Sequence, residues 1–145
     1  MGEKPLQEEE QKEEKNYLLK LSSKMIKFKS LNQNKEFLKI LKKKRIDTKY
    51  FTVYFDKNLK NFKDNFNKYL NISFVMKKNV GNAVTRNKIK RKLKYAIQKI
   101  SKEKELIDLN YTYVIFGKNN VYKDKFANVL GEINEAFKKI RQISS

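Results

Sequence analysis

Histidine, cysteine and tryptophan are absent from this chain of 145 residues, glycine occurs four times and proline once. Without histidine there is no imidazole acid or base and no Ser-His-Asp triad. Without cysteine there is no thiolate nucleophile and no disulfide, and zinc loses both of its commonest ligands. The glycines stand at Gly2, Gly81, Gly117 and Gly131, a scatter that excludes a Walker loop or a dinucleotide fingerprint. No apolar run approaches the length of a membrane span. The amino-terminal residues are acidic rather than cationic then apolar, so no secretory leader is expected. Leu6 breaks the N-myristoylation pattern behind Gly2. Acidic residues number 16 against 35 Lys and Arg, too few to suggest paired carboxylates for metal-dependent hydrolysis. The inventory describes a soluble, cytoplasmic binding protein rather than a stand-alone catalyst.

What is abundant is positive charge, a net +19, and it is unevenly placed. Residues 1–15 hold six Glu against three Lys, a net of −3 that leaves about +22 for the rest. Charge of that size repels itself unless a polyanion neutralises it, so nucleic acid is the expected partner and an anionic membrane the weaker one. The length suits one domain with one core.

Residues 1–15 lack aromatic and β-branched side chains and are expected to form a disordered acidic tail. Residues 16–31 have poor periodicity and fit either a short helix or an arm. A helix is predicted from Asn32 or Asn34 to about Lys44, with Phe37, Ile40 and Leu41 as its apolar edge. Alternation from Thr48 to Asp56 predicts a strand with Tyr50, Thr52 and Tyr54 on one side and Phe51, Val53 and Phe55 on the other. The Asn-rich segment 57–68 reads as a long loop. Leu70 to Met76 is a second strand, and Tyr111 to Phe116 a third, ended by Gly117. Phe126, Val129, Leu130, Ile133, Phe137 and Ile140 recur at helical spacing from about Lys123 to Arg141. The order α-β-β-α-β-α with three strands predicts an α+β sandwich, a small central sheet packed with helices.

The most informative stretch is Lys77 to Lys94, in which no residue is acidic. After the turn Val80-Gly81-Asn82, Ile89, Leu93, Ala96, Ile97 and Ile100 share one face of a helix. Arg86, Lys90 and Lys94 follow at i, i+4 and i+8 on what is read as the opposite face, flanked by Asn87 and Arg91. Only four arginines exist, at 45, 86, 91 and 141, and two lie here. Lys77, Lys78, Arg86, Asn87, Lys90, Arg91 and Lys94 are candidates for phosphate and 2′-hydroxyl contacts. A second candidate surface is the strand face of Tyr50, Thr52 and Tyr54 beside Phe37, a stacking platform for single-stranded bases, although Phe37 also fits a core position. Composition and charge alone also fit a ribosomal or general RNA-binding protein, or a DNA-compacting one.

The order of residues is more specific. Gly81-Asn82-Ala83-Val84-Thr85-Arg86-Asn87-Lys88-Ile89-Lys90-Arg91 resembles the signature helix of the bacterial ribonuclease P protein subunit, Lys-Lys-x-Gly-Asn-Ala-Val-x-Arg-Asn-Arg-x-Lys-Arg. Glu36 to Leu41 resembles the family's Asp-Phe-x-x-Val-Phe segment, with Leu31 six residues ahead of Phe37. Phe51-Thr52-Val53-Tyr54 looks like its Phe-x-x-Tyr stretch. Departures are Ser30 for Arg, Leu41 for an aromatic, Asn79 for Lys, and Lys88, Lys92 and Lys94 for Arg.

The likeness spans about residues 28–141. It implies an RNA-binding domain at 29–141 behind an extension at 1–28, and a left-handed βαβ crossover in a fold like ribosomal protein domain 2. It implies a protein that pairs with a catalytic RNA, which removes the 5′ leader of precursor tRNA with Mg²⁺ held mainly by RNA. Lys77, Lys78, Asn82, Arg86, Asn87, Lys88, Lys90, Arg91 and Lys94 would then face the RNA subunit. Phe37, Leu41, Tyr50, Thr52 and Tyr54 would hold the leader. No catalytic residue, bound metal or obligate protein partner is expected of the chain itself.

Overall fold

The computed structural model describes residues 26–31, 34–57, 69–103 and 106–144. The acidic tail, most of the segment 16–31 and nearly all of the 57–68 loop lie outside the described residues. Five strands, not three, form one mixed sheet: β1 Lys27–Lys29, β2 Lys44–Asp47, β3 Phe51–Lys57, β4 Tyr69–Val75 and β5 Tyr111–Gly117, in the order β1-β4-β5-β3-β2. β4 pairs in parallel with both β1 and β5, whereas β3 is antiparallel to β5 and to β2. The helices are α1 Asn34–Leu41, α2 Ala83–Glu103, the short α3 Asn120–Lys123 and α4 Phe126–Ser144. β4, α2 and β5 make the expected βαβ unit, since β4 and β5 are parallel neighbours.

Strand alternation divides the sheet into two faces. Phe51, Val53 and Phe55 of β3, Leu70 and Ile72 of β4, and Tyr113 and Ile115 of β5 point to one side and are buried. Ile89, Leu93, Ala96, Ile97 and Ile100 of α2 join them in the core, as the apolar spacing predicted, together with Val129, Ile133, Ala136, Phe137 and Ile140 of α4. The other side carries Thr52, Tyr54, Val114 and Phe116, and α1 lies over it. Ile40 and Val114 are buried there, outside the main core cluster.

The two added strands are short edges whose sequence carries little signal. β1 is Lys-Phe-Lys, pinned by a Gln98 Nε2–H bond to the Ile26 carbonyl (2.8 Å) and by Leu31 N–H donating to Ser73 Oγ (2.9 Å). β1 lies across the boundary expected between residues 28 and 29. β2 takes residues 44–47, where the first helix was expected to run to Lys44. α1 instead stops at Leu41, and Lys43 N–H donates to the Ile40 carbonyl at 2.9 Å. The last helix starts later than expected, because Asp124 is extended (φ −92°, ψ 165°) and separates α3 from α4.

Candidate nucleic-acid interface

The signature begins in a tight, fully built turn. Residues Lys78–Val80 form one 3-10 turn, closed by Val80 N–H to the Lys77 carbonyl at 3.0 Å. Gly81 follows at φ +157°, and a Cβ there would stand 2.9 Å from the Thr85 methyl. A side chain is excluded by both the dihedral and the space. Asn82 then caps α2, its Oδ1 accepting from Thr85 N–H at 2.9 Å. That satisfies one of the free donors at a helix start. Asn119, ahead of α3, donates from Nδ2 to the Val80 carbonyl at 2.7 Å. Gly117 lets β5 approach, since a Cβ on it would meet Met76 Sδ at 2.5 Å and Ile89 Cγ2 at 2.9 Å.

The cations of α2 divide differently from the opposite-face expectation. Asn87, Lys88 and Arg91 are exposed on the outer side, but Arg86, Lys90 and Lys94 are half-buried. Their row borders the core stripe instead of opposing it, because 86 lies only about 60° from 89 at 100° per residue. Burial pushes the Lys94 ammonium below its ordinary value, and the nearby Lys90 charge adds to this. Lys94 Nζ lies 5.9 Å from the Phe74 ring centre, on the β4 side of the helix. Arg86 Nε is buried with no hydrogen-bond partner among the described residues. Lys92 is structural: its Nζ donates to the carbonyls of Val121 (3.2 Å) and Asp124 (2.9 Å). Lys88 Nζ sits 5.7 Å from the Tyr122 ring centre.

On the far side of the sheet an aromatic cluster lies beside α1. Phe116 is its centre, 6.2 Å from the Phe37 ring and 5.5 Å from the Tyr54 ring, the latter edge-on at 73°. All three rings are half-buried, so they are packed together yet keep accessible surface. Leu41 ends α1, half-buried as well. Thr52 Oγ1 donates to Asp47 Oδ1 at 2.5 Å, and Lys118 Nζ reaches the same oxygen at 2.7 Å. Lys118, then Thr52, hold the Asp47 carboxyl below its ordinary value. Lys77 belongs to this cluster as much as to the signature, for its Nζ stands 5.6 Å from the Phe116 ring centre.

Tyr50 does not join Thr52 and Tyr54. It precedes β3 in a turn where Thr48 Oγ1 accepts from Tyr50 N–H (3.3 Å) and Phe51 N–H (3.1 Å). Only 5 % of Tyr50 is exposed, and its hydroxyl donates to Asp124 Oδ2 at 2.6 Å. That bond pushes the Tyr50 hydroxyl up to about 12 and holds Asp124 below the carboxylate range. Tyr50 is therefore a core and tethering residue, and the expected stacking role for it is withdrawn. Alternation cannot be counted back through a turn. Phe116 was the residue missed. Its signal was its two-residue spacing from Val114, which placed it across from Thr52 once β3 and β5 were paired.

The Ribonuclease P family model matches residues 25–141 of the chain. The Ribonuclease P protein component of Mesoplasma florum is 32% identical over 108 residues, covering 74% of this chain and 90% of that protein. That of Mycoplasma mycoides subsp. mycoides SC is 30% identical over 112 residues, covering 70% of this chain and 100% of that protein. Among solved structures, the Staphylococcus aureus RNase P protein superposes with a TM-score of 0.60 at 20% identity, covering 77% of this chain and 94% of that one. The RNase P protein from Thermotoga maritima gives 0.60 at 23% identity, covering 77% and 96%. At those identities the two structures support the fold, a mixed sheet packed with helices.

Proposed function

The chain belongs to the ribonuclease P protein family, and from that membership we propose that it binds the catalytic RNA through α2 and the 5′ leader of precursor tRNA through the aromatic cluster. As a ribonuclease P protein component its role is in tRNA 5′ processing, and partnership with the ribonuclease P RNA follows from the family. We assign the phosphodiester hydrolysis to the RNA rather than to this chain. The described residues hold no cluster of three or more groups able to cage a metal. Asp47 and Asp124 are each engaged by a lysine and a hydroxyl, which is not the donor chemistry of a hard cation site. We propose that the Mg²⁺ of the reaction is held mainly by the RNA, where it would stabilise charge on the reacting phosphate. No helix among the described residues is long and apolar enough to cross a membrane, and the cytoplasm is the compartment we propose.

The observation that carries the reading is that one chain bears two unlike surfaces, on opposite faces of the sheet and linked by the turn from β4 into α2. The cationic row of Arg86, Lys90 and Lys94 suits an RNA backbone, since arginine forks and ammonium groups neutralise phosphates. The rings of Phe37, Tyr54 and Phe116 suit unstacked bases. Lys77, in the connection from β4 to α2, lies over Phe116 and can meet a phosphate of a strand stacked on the rings. The test is reconstitution with a bacterial ribonuclease P RNA and a precursor tRNA at low Mg²⁺. Protein-dependent leader release is expected. No stimulation, with equally tight binding to unrelated RNA, would replace this reading with a general RNA-binding one.

A further inference from the structure

Beyond the aromatic cluster lies a run of cations that neither surface uses. Lys42, Lys43, Lys44 and Arg45 are consecutive and all exposed. They are held in place by backbone bonds: Lys42 N–H to the Lys39 carbonyl (3.2 Å), Lys43 N–H to the Ile40 carbonyl (2.9 Å), and the β2–β3 ladder. β2 is the last strand of the sheet, so its outer edge is unpaired among the described residues. Arg45 stands directly across from Tyr54, and paired residues in an antiparallel ladder share a face. Arg45 therefore lies on the cluster side, one strand further out than Tyr54. Asp47, two residues on and on the same face, is bonded by Lys118 and Thr52 and also feels the Arg45 charge, while among the described residues Arg45 makes no ion pair. Asp56 and Glu36 are the other carboxylates on the elements around the cluster, and both are half-buried.

The positions form a diagonal across the strands, since Phe116 pairs with Thr52 and Tyr54 with Val114. From the β4 side the row runs Lys77 over Phe116 on β5, then Tyr54 on β3, then Arg45 on β2. At about 4.8 Å between neighbouring strands, the span from β4 to β2 is about 14 Å. Rings occupy its middle and cations both of its ends.

We propose that Arg45 on the cluster face, with Lys43 and Lys44 reaching round the β2 edge (Lys44 pairs with Phe55 and so starts on the opposite face), binds phosphates of leader nucleotides lying beyond those stacked on Phe116 and Tyr54. The leader then crosses the strands from β5 to β2 rather than running along them. The inference rests on the leader-cluster reading above and extends it to a longer footprint. Lysines on an open edge strand also discourage sheet-to-sheet association, a role that needs no RNA.

The experiment uses the full chain assembled with a ribonuclease P RNA, and precursor tRNAs with a short leader and with one several nucleotides longer. Affinity is measured against salt for wild type and for the triple variant Lys43→Ala, Lys44→Ala, Arg45→Ala. Loss of three single-strand phosphate contacts at about 0.7 each lowers the salt slope for the long leader by about 2. Between 50 and 200 mM salt, wild type should thus lose roughly 20-fold more affinity than the variant. The short leader should show no such difference. The charge-keeping variant Lys43→Arg, Lys44→Arg, Arg45→Lys should retain the wild-type slope, and a thermal melt checks that all three proteins fold. A wild type indifferent to leader length overturns the leader-cluster reading beneath the proposal. A leader-sensitive wild type with an identical triple variant, aggregating or not, overturns the proposal alone. Equal weakening with both leaders also overturns it, assigning the cations to the RNA subunit or the tRNA body.

Discussion

Replacing Asn82 separates two roles that the signature motif merges. In sequence Asn82 belongs to the RNA-facing group, but in the structure its Oδ1 is committed to Thr85 N–H at 2.9 Å as the cap of α2. Losing such a cap to alanine costs about 1 kcal/mol, which for a domain of this size lowers the melting temperature by about 4 °C. Serine and aspartate both cap well, so Asn82→Ser and Asn82→Asp should restore the stability that Asn82→Ala loses. Aspartate adds a favourable charge at the helix amino terminus, yet it places a negative group beside Lys77, Lys78 and Arg86, where phosphate is to bind. The expected pattern is therefore crossed. Ala lowers stability, Ser is near wild type in both respects, and Asp keeps stability but weakens RNA-subunit binding. Thermal denaturation and equilibrium binding to the ribonuclease P RNA at fixed salt read the two axes. Ser binding as poorly as Asp would refute the reasoning, because it would make the amide itself an RNA contact rather than a cap.

Arg86→Ala should weaken binding to the RNA subunit, whereas Phe116→Ala should weaken mainly leader-bearing substrate; equal losses for both variants in both assays would contradict two separate surfaces. Removing one base-stacking ring is expected to cost about 1–3 kcal/mol of substrate affinity. If six to eight phosphates are engaged in the assembly, affinity for the RNA should fall on the order of a thousandfold or more between 50 and 200 mM salt, measurable by filter binding. Asp124 is held below its ordinary value of 3.8 by the Tyr50 hydroxyl. A depressed carboxylate stabilises the fold above its unfolded value and loses that contribution as pH falls through the folded one. Wild type should accordingly lose its stability advantage over Asp124→Asn below about pH 4, as followed by acid titration of the melting temperature. Leu93→Ala empties a fully buried position between α2 and the sheet and should cost about 2–5 kcal/mol in chemical denaturation; a smaller loss would mean that the core closes around the gap.

The sequence by itself determined the features that local physics sets. The core stripe of α2 from Ile89 to Ile100 follows from spacing alone, and every member is buried. Phe51, Val53 and Phe55 alternate into the core as read, because a strand's two faces are a property of its own backbone. The turn at Gly81 and the polyanion partner implied by a net +19 needed no tertiary information either.

What the tertiary structure decided is wherever pairing or packing acts at a distance. β1 and β2 are strands only because β4 and β3 offer them edges; three or four residues carry too little propensity to declare themselves. Tyr50 and Tyr54, four residues apart and chemically alike, part company because the Thr48 turn and Asp124, 74 residues from Tyr50, capture the first. Phe116 and Lys77 meet although 39 positions separate them, since β4 and β5 are parallel neighbours joined through α2. That Arg86, Lys90 and Lys94 border the core stripe already follows from 100° per residue; which strand they lie against, with Lys94 beside Phe74 of β4, is decided by where the sheet sits under α2.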